Sequence, residues 1–134
     1  MNALEKALYS ALSGDATLTG LLSSATAIYQ GVAPDGADPP YVVYGKQANT
    51  KTYTFGAKAW DNSLYLIKAV DERPSAARAG TIQDRLEVLL TDAALTVTGR
   101  THLYLRPETD VDYPEVDQGR TTWHRGHLYR IYTS

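Results

Sequence analysis

The sequence predicts a single α+β domain: a mainly antiparallel β-sheet with an N-terminal helix and one longer helix, about residues 75–91, packed on one face. Three observations lead there. The chain has 134 residues, enough for one domain and one modest core. Apolar residues recur at helical spacing near the start and again past the middle, whereas the other apolar segments are rich in strand formers. The order along the chain is helices, strands, one helix, strands, and such grouping favours an α+β sheet over a doubly wound parallel one.

Each element follows from its residues. Leu4, Ala7, Leu8, Ala11 and Leu12 fall on one helical face, so a helix is expected over residues 3–12, with Asn2 as cap and Glu5 three positions on. Ser13, Gly14 and Asp15 break it, and Asp15 can start a second short helix through Leu18, Leu21 and Leu22. Residues 27–30 read as a brief strand, and the Gly-, Pro- and Asp-rich residues 31–40 as a surface loop. Tyr41, Val42, Val43 and Tyr44 form a strand that Pro39 and Pro40 hold extended at its start. Residues 46–60 are polar, with Thr50, Thr52 and Thr54 alternating against Lys51, Tyr53 and Phe55, and predict a protruding hairpin or mobile loop.

Residues 64–70 carry enough apolar side chains for burial on much of both faces, as a mid-sheet strand would. Ser75 is the expected cap of the long helix, with Ala79, Ile82, Leu86 and Leu89 on its inner face. Strands are expected at 95–98, 101–105 and 120–132, with an acidic loop at 107–119 before the last. There is no internal repeat and no low-complexity tract.

Composition excludes more function classes than it selects. The chain is 43% hydrophobic and 21% charged, an ordinary globular balance. It has no cysteine, which removes disulfide frameworks, Cys-based zinc and iron-sulfur sites and thiol nucleophiles. Thirteen Lys and Arg against fifteen Asp and Glu give a net charge of −2, with no basic block to hold a polyphosphate. The apolar runs are too short for a membrane span, and the first residues begin an amphipathic pattern rather than a signal peptide, so a soluble, unexported chain is expected.

No reactive constellation emerges. His124 and His127 are three apart in a β-rich segment, which sends them to opposite faces unless Gly126 marks a bulge, and His102 adds at most one ligand across a ladder. The acidic residues 108–117 lack the EF-hand glycine: counted from Asp110, the sixth position is Glu115, after Pro114. There is no Gly-x-Ser-x-Gly, and the ten glycines never assemble a Walker or dinucleotide fingerprint. Asp84 and Glu87, beside Arg85, read as solvated helix charges. No catalytic residue, metal or cofactor is therefore expected. Tyrosine is abundant instead, ten against one phenylalanine, and rings with a polar tip suit surfaces that are wet alone and dry when assembled. Tyr41 and Tyr44, and likewise Trp123 and Tyr132, should lie on opposite faces.

Ile28-Tyr29-x-Gly31-Val32-Ala33-Pro34 followed by Pro39-Pro40-Tyr41-Val42-Val43-Tyr44 is the first part of a longer pattern. The strand and helix of residues 64–90, Tyr113-x-Glu115 and Trp123-His124-Arg125-Gly126-His127-Leu128-Tyr129 complete it. In length, order and spacing it resembles the tail-completion or tail-terminator proteins of long-tailed bacteriophages. That resemblance implies a small α+β subunit of a ring, commonly a hexamer, that caps the tail tube and joins it to the head. The implied partners are further copies of the chain, the tail tube protein and the head–tail connector protein, in a virion assembled in the host cytoplasm. DNA would pass through such a ring without specific binding, since six copies of a chain with net charge −2 offer no phosphate-gripping wall. Lys51, Tyr53, Phe55 and Trp60 in the first polar segment are the expected contact residues, with Asp110, Asp112, Tyr113 and Glu115 in the acidic one and Trp123 and Arg125 beside it. A head-side adaptor on the portal is the alternative within the same machinery, and a small ligand-binding domain the alternative outside it.

Overall fold

The computed structural model describes residues 2–134; the side chain of Asn2, and with it the expected first cap, lies outside that description. The elements run α1 (Asn2–Ser13), α2 (Ala16–Leu21), β1 (Ile28–Gln30), β2 (Tyr41–Thr54), β3 (Ala57–Glu72), α3 (Ala77–Leu90), β4 (His102–Asp117) and β5 (Arg120–Thr133). The strands form one five-stranded sheet in the order β1-β2-β3-β5-β4. Only the short β1–β2 pair is parallel; every other pair is antiparallel. The α+β expectation holds, with β3 at the centre.

All three helices lie on one face of that sheet. Leu4, Leu8 and Leu12 of α1, Leu18 of α2 and Ile82, Leu86 and Leu90 of α3 pack with Val42, Tyr44, Tyr65, Ile67, Tyr129 and Ile131 in one buried cluster. The three-and-four spacing read from the sequence is therefore the spacing of contacts with the sheet. Cutting one of these leucines to alanine costs about 2–5 kcal/mol, through lost transfer energy and the cavity left behind.

The second helix starts where Asp15 accepts a hydrogen bond from the Leu18 amide at 3.0 Å. The same carboxylate is clasped by Arg85 of α3 at 2.7 and 2.8 Å. That bidentate bond, the largest influence, together with the Leu18 amide holds the Asp15 carboxyl below the usual carboxylate range against its partial burial. One residue thus caps α2 and ties it to α3.

Four expectations need correction. Residues 107–119 are not a loop: they are the outer half of β4 and a two-residue turn, paired with β5 from Pro107↔Tyr129 to Asp117↔Arg120. Prolines and acids read as loop composition, but an edge strand tolerates a proline whose missing N–H would face outward and uses charge to resist stray pairing. Residues 95–98 are not a strand; Leu95 and Val97 are buried core residues on irregular backbone. The long helix begins at Ala77, with Ala76 in the cap position and Ser75 Oγ accepting from the Ala77 amide at 3.2 Å. Finally, β3 is central but buried mainly on one face: Ser63, Tyr65, Ile67 and Ala69 face the helices, while on the side that no helix covers Val70 is buried and Leu64 and Leu66 stay half-buried.

Candidate assembly surface

The antiparallel register places two hairpin arms at opposite ends of the molecule. Along β3, Asp61 lies opposite Thr133 and Glu72 opposite Thr122, so the β2–β3 turn projects past one end of the sheet and the β4–β5 turn past the other. The separation along β3 between those two rungs is about 36 Å at the usual strand rise.

The first arm is a bare two-stranded ribbon. Beyond the last rung with β5, its rungs are Thr52↔Trp60, Tyr53↔Lys58 and Thr54↔Ala57. It closes on Phe55 and Gly56, with φ of 43° and 84°, the paired positive angles of a turn that normally takes Asn, Asp or Gly at its first position. Phe55 is wholly exposed and Tyr53 is 62% exposed. The hairpin expectation is correct for this segment. At its base the buried carboxylate of Asp61 gathers Lys58 at 3.1 Å and the Arg100 guanidinium, with the Asn49 amide at 3.4 Å. That network fixes the direction in which the ribbon leaves the sheet.

The second arm is anchored on both sides. Gln83 of α3 donates to Asp112 at 2.7 Å and to the Gly126 carbonyl at 3.0 Å. On the opposite face Lys68 of β3 donates to the Tyr113 hydroxyl at 2.9 Å, and the Tyr113 ring stacks on His124 with centroids 4.5 Å apart. His124 Nε2 lies 2.6 Å from Glu115. Burial, and then the nearby Lys68 charge, push the His124 imidazole below its ordinary value, so at neutral pH the ring brings no positive charge to Glu115. Arg125 sits 3.7 Å from Asp112 and 5.5 Å from the Trp123 ring centroid. Gly126 is required by packing: a Cβ there would fall 2.2 Å from the Ile67 carbonyl oxygen.

Between the arms lies the sheet face that no helix covers. Arg130 of β5 reaches Glu108 of β4 at 2.8 Å and Asn62 of β3 at 3.0 Å, crossing three strands. Tyr104 and Tyr132 pack beside it, 5.1 Å between centroids.

The ten expected contact residues therefore separate into two groups. Lys51, Tyr53, Phe55 and Trp60 belong to the first arm, and Asp110, Asp112, Tyr113, Glu115, Trp123 and Arg125 to the second. Sequence reasoning missed Lys68, Gln83, Glu108 and Arg130, which hold the second arm and the open face. Their only signal is polarity within a strand or on a helix, and partners far away in sequence are invisible to it. The opposite-face reading of the histidines is correct, since His124 stacks on the open face and His127 meets Tyr129 Oη at 2.9 Å on the helix face. There is no register shift at Gly126. Among the described residues no group of three or more His, Cys, Asp or Glu could hold a metal, and no helix is long and apolar enough to cross a membrane. A cleft of about 430 Å³ between α1 and β1–β2 is lined by Glu5, Lys6, Tyr9, Ser10, Gln30 and Tyr44 and opens to solvent.

Two projecting arms and an uncovered aromatic sheet face thus stand on a helix-backed core. The family model for tail completion protein gp17 matches residues 6–132, and the chain belongs to that family, a family of structural phage tail proteins. The fold is similar to that of a chain in the virion of a native gene transfer agent particle, with a TM-score of 0.82 at 19% identity, covering 98% of this chain and 95% of that one. A second solved structure is similar with a TM-score of 0.58 at 14% identity, covering 98% and 93%. No curated protein matches. The chain is a structural component of a phage tail.

Proposed function

We propose that this chain is a tail-terminating ring subunit: six copies close into a ring that ends the tail tube and joins it to the head–tail connector. The observation that carries the reading is the family match over residues 6–132, which takes in both arms and the sheet between them. The geometry supports it in two respects. A closed ring is made of head-to-tail contacts, each using two different surfaces of one subunit, and the arms supply two such surfaces at opposite ends. The uncovered sheet face offers Tyr104, Tyr132, Leu64 and Leu66, a mix of rings and aliphatic groups suited to a wet-then-dry contact with the tube or connector. A net charge of −2 leaves a ring wall that lets the duplex pass. The work is done by shape and adhesion in the neck of a virion assembled in the host cytoplasm, with no bond made or broken.

The test replaces residues 53–59 by Asn-Gly, which joins Thr52 to Trp60 by a tight turn and preserves their pairing. The shortened chain loses Lys58 from the Asp61 network but keeps Arg100 and Asn49 there, so it is expected to melt cooperatively within a few degrees of the parent and to leave heads and tails unjoined when it is the sole copy during particle assembly. Joined, infectious particles would reject the arm's role, and normal particles in the complete absence of the chain would reject the function.

A further inference from the structure

The two arms differ in charge as well as in position. Residues 46–60 contain three lysines and no acid; residues 107–119 contain five acids and no Lys or Arg, against which the facing strand of the same arm sets Arg120, Arg125 and Arg130, so an acidic excess remains. Some of this charge is used internally: Lys58 pairs with Asp61, and Glu108 with Arg130. What remains is complementary. Among the described residues, Lys51 and Asp117 make no ion pair, and Asp110 meets only His127, 3.4 Å away, with its carboxylate 74% exposed. Each arm also carries exposed apolar side chains inside its charged surroundings, Tyr53 and Phe55 on one, Val116 on the other. An apolar centre with a charged rim is the usual build of a protein interface.

Resting on the ring reading above, we propose that copies of this chain join head to tail through these arms. The Lys51 arm of one copy lies on the Asp110–Asp117 arm of the next, with Phe55 and Tyr53 against Val116. The alternative symmetric contact, arm on identical arm, sets Lys51 against Lys51 or one acidic excess against another, and like charges in register repel. Because the two surfaces lie at opposite ends of the sheet, each contact leaves one arm free at either side, so the contact propagates and makes a ring where its rotation closes. A wholly exposed phenylalanine in a turn position that favours Asn, Asp or Gly is then explained as the side chain that enters the neighbour.

The absence of cysteine in the chain gives a direct test. Phe55→Cys and Val116→Cys are made separately in the full chain, mixed in equal amounts at low salt and oxidised briefly, and covalent dimers are identified by mass. Mixed dimers are expected to outnumber each like dimer at least tenfold, and the chain bearing both cysteines is expected to give a ladder of multimers. Like and mixed dimers in statistical proportion would overturn the proposal. A second arm uses charge and does not depend on thiols. Lys51→Glu in one chain is expected to cut the mixed cross-link at least tenfold, as is Asp110→Lys with Asp117→Lys in another. Mixing the two charge-reversed chains, each with the appropriate cysteine, is expected to restore it; cross-linking indifferent to both reversals would overturn the proposal even if the first result were positive. Rings seen on tail ends despite either negative result would leave the tail-terminating function standing and reject only the arm contact.

Discussion

The β2–β3 and β4–β5 arms share a design and differ in support. Both are long antiparallel hairpins closed by two residues of positive φ, Phe55 with Gly56 and Gln118 with Gly119. The first leaves the sheet as an isolated ribbon for three rungs, while only Val116↔Thr121 and Asp117↔Arg120 of the second lie past the end of β3. A two-stranded ribbon has no third strand or helix to bury a face against and is marginal alone, which is why its residues are threonines, lysines and exposed aromatics. The second arm is held by Gln83 from one side and Lys68 from the other. The first arm therefore stands unsupported beyond the sheet, whereas the second is braced from both faces.

Substitutions can break this contrast, and the largest effect is expected at Gly126. Alanine there would put a Cβ 2.2 Å from the Ile67 carbonyl oxygen and 2.4 Å from Lys68 Cα. The seam that fastens the second arm to β3 must open, and denaturant unfolding should register a loss of about 3 kcal/mol, the upper range for overpacking. Gln83→Ala is next: it removes one donor shared by Asp112 and the Gly126 carbonyl and leaves that buried carbonyl without it, a loss of about 1–2 kcal/mol. Hydrogen exchange should rise across residues 110–117 and stay unchanged at 51–59. By contrast, replacing residues 53–59 by Asn-Gly removes exposed ribbon and one of the three partners of Asp61, Lys58, while Arg100 and Asn49 stay, so the unfolding free energy should fall by no more than about 1 kcal/mol.

The smallest expected effect is a pH dependence confined to the second arm. Burial, then Lys68, lower the His124 imidazole in the folded chain below its unfolded value of about 6.5. The unfolded chain therefore binds the proton more readily, and the stability contributed by neutral His124 is complete above about pH 6.5 and declines as pH falls below it towards the folded value. Thermal melts between pH 7.5 and 5.5 should show this decline in the parent and a shallower one in His124→Gln. An equal decline in both would exclude His124 as the source.

Helices α1 and α3, the Asp15 start of α2 and the central place of β3 were legible in the sequence because each depends on local spacing or on a neighbouring cap. The second arm was not. Pro107, Pro114 and five acids carry the composition of a loop, and only pairing with β5, a strand that follows them in the chain, makes them an edge strand. Leu95 and Val97 misled in the opposite sense, since alternating apolar residues can bury in a core without any ladder. Of the assembly surface, the aromatic and charged residues exposed on each arm could be named from sequence. Their division between opposite ends could not, because it follows from the antiparallel order β2-β3-β5-β4, and no local pattern encodes that order. The anchors Lys68 and Gln83 escaped for the same reason: their partners lie 45 and 29 residues away.

The most direct test of the central claim labels the purified chain and mixes it separately with headless tails and with filled, tailless heads, then locates it by electron microscopy. The account predicts a ring on the head-proximal tip of each tail and bare portals on the heads. Label at the portal vertex with naked tail tips would contradict it.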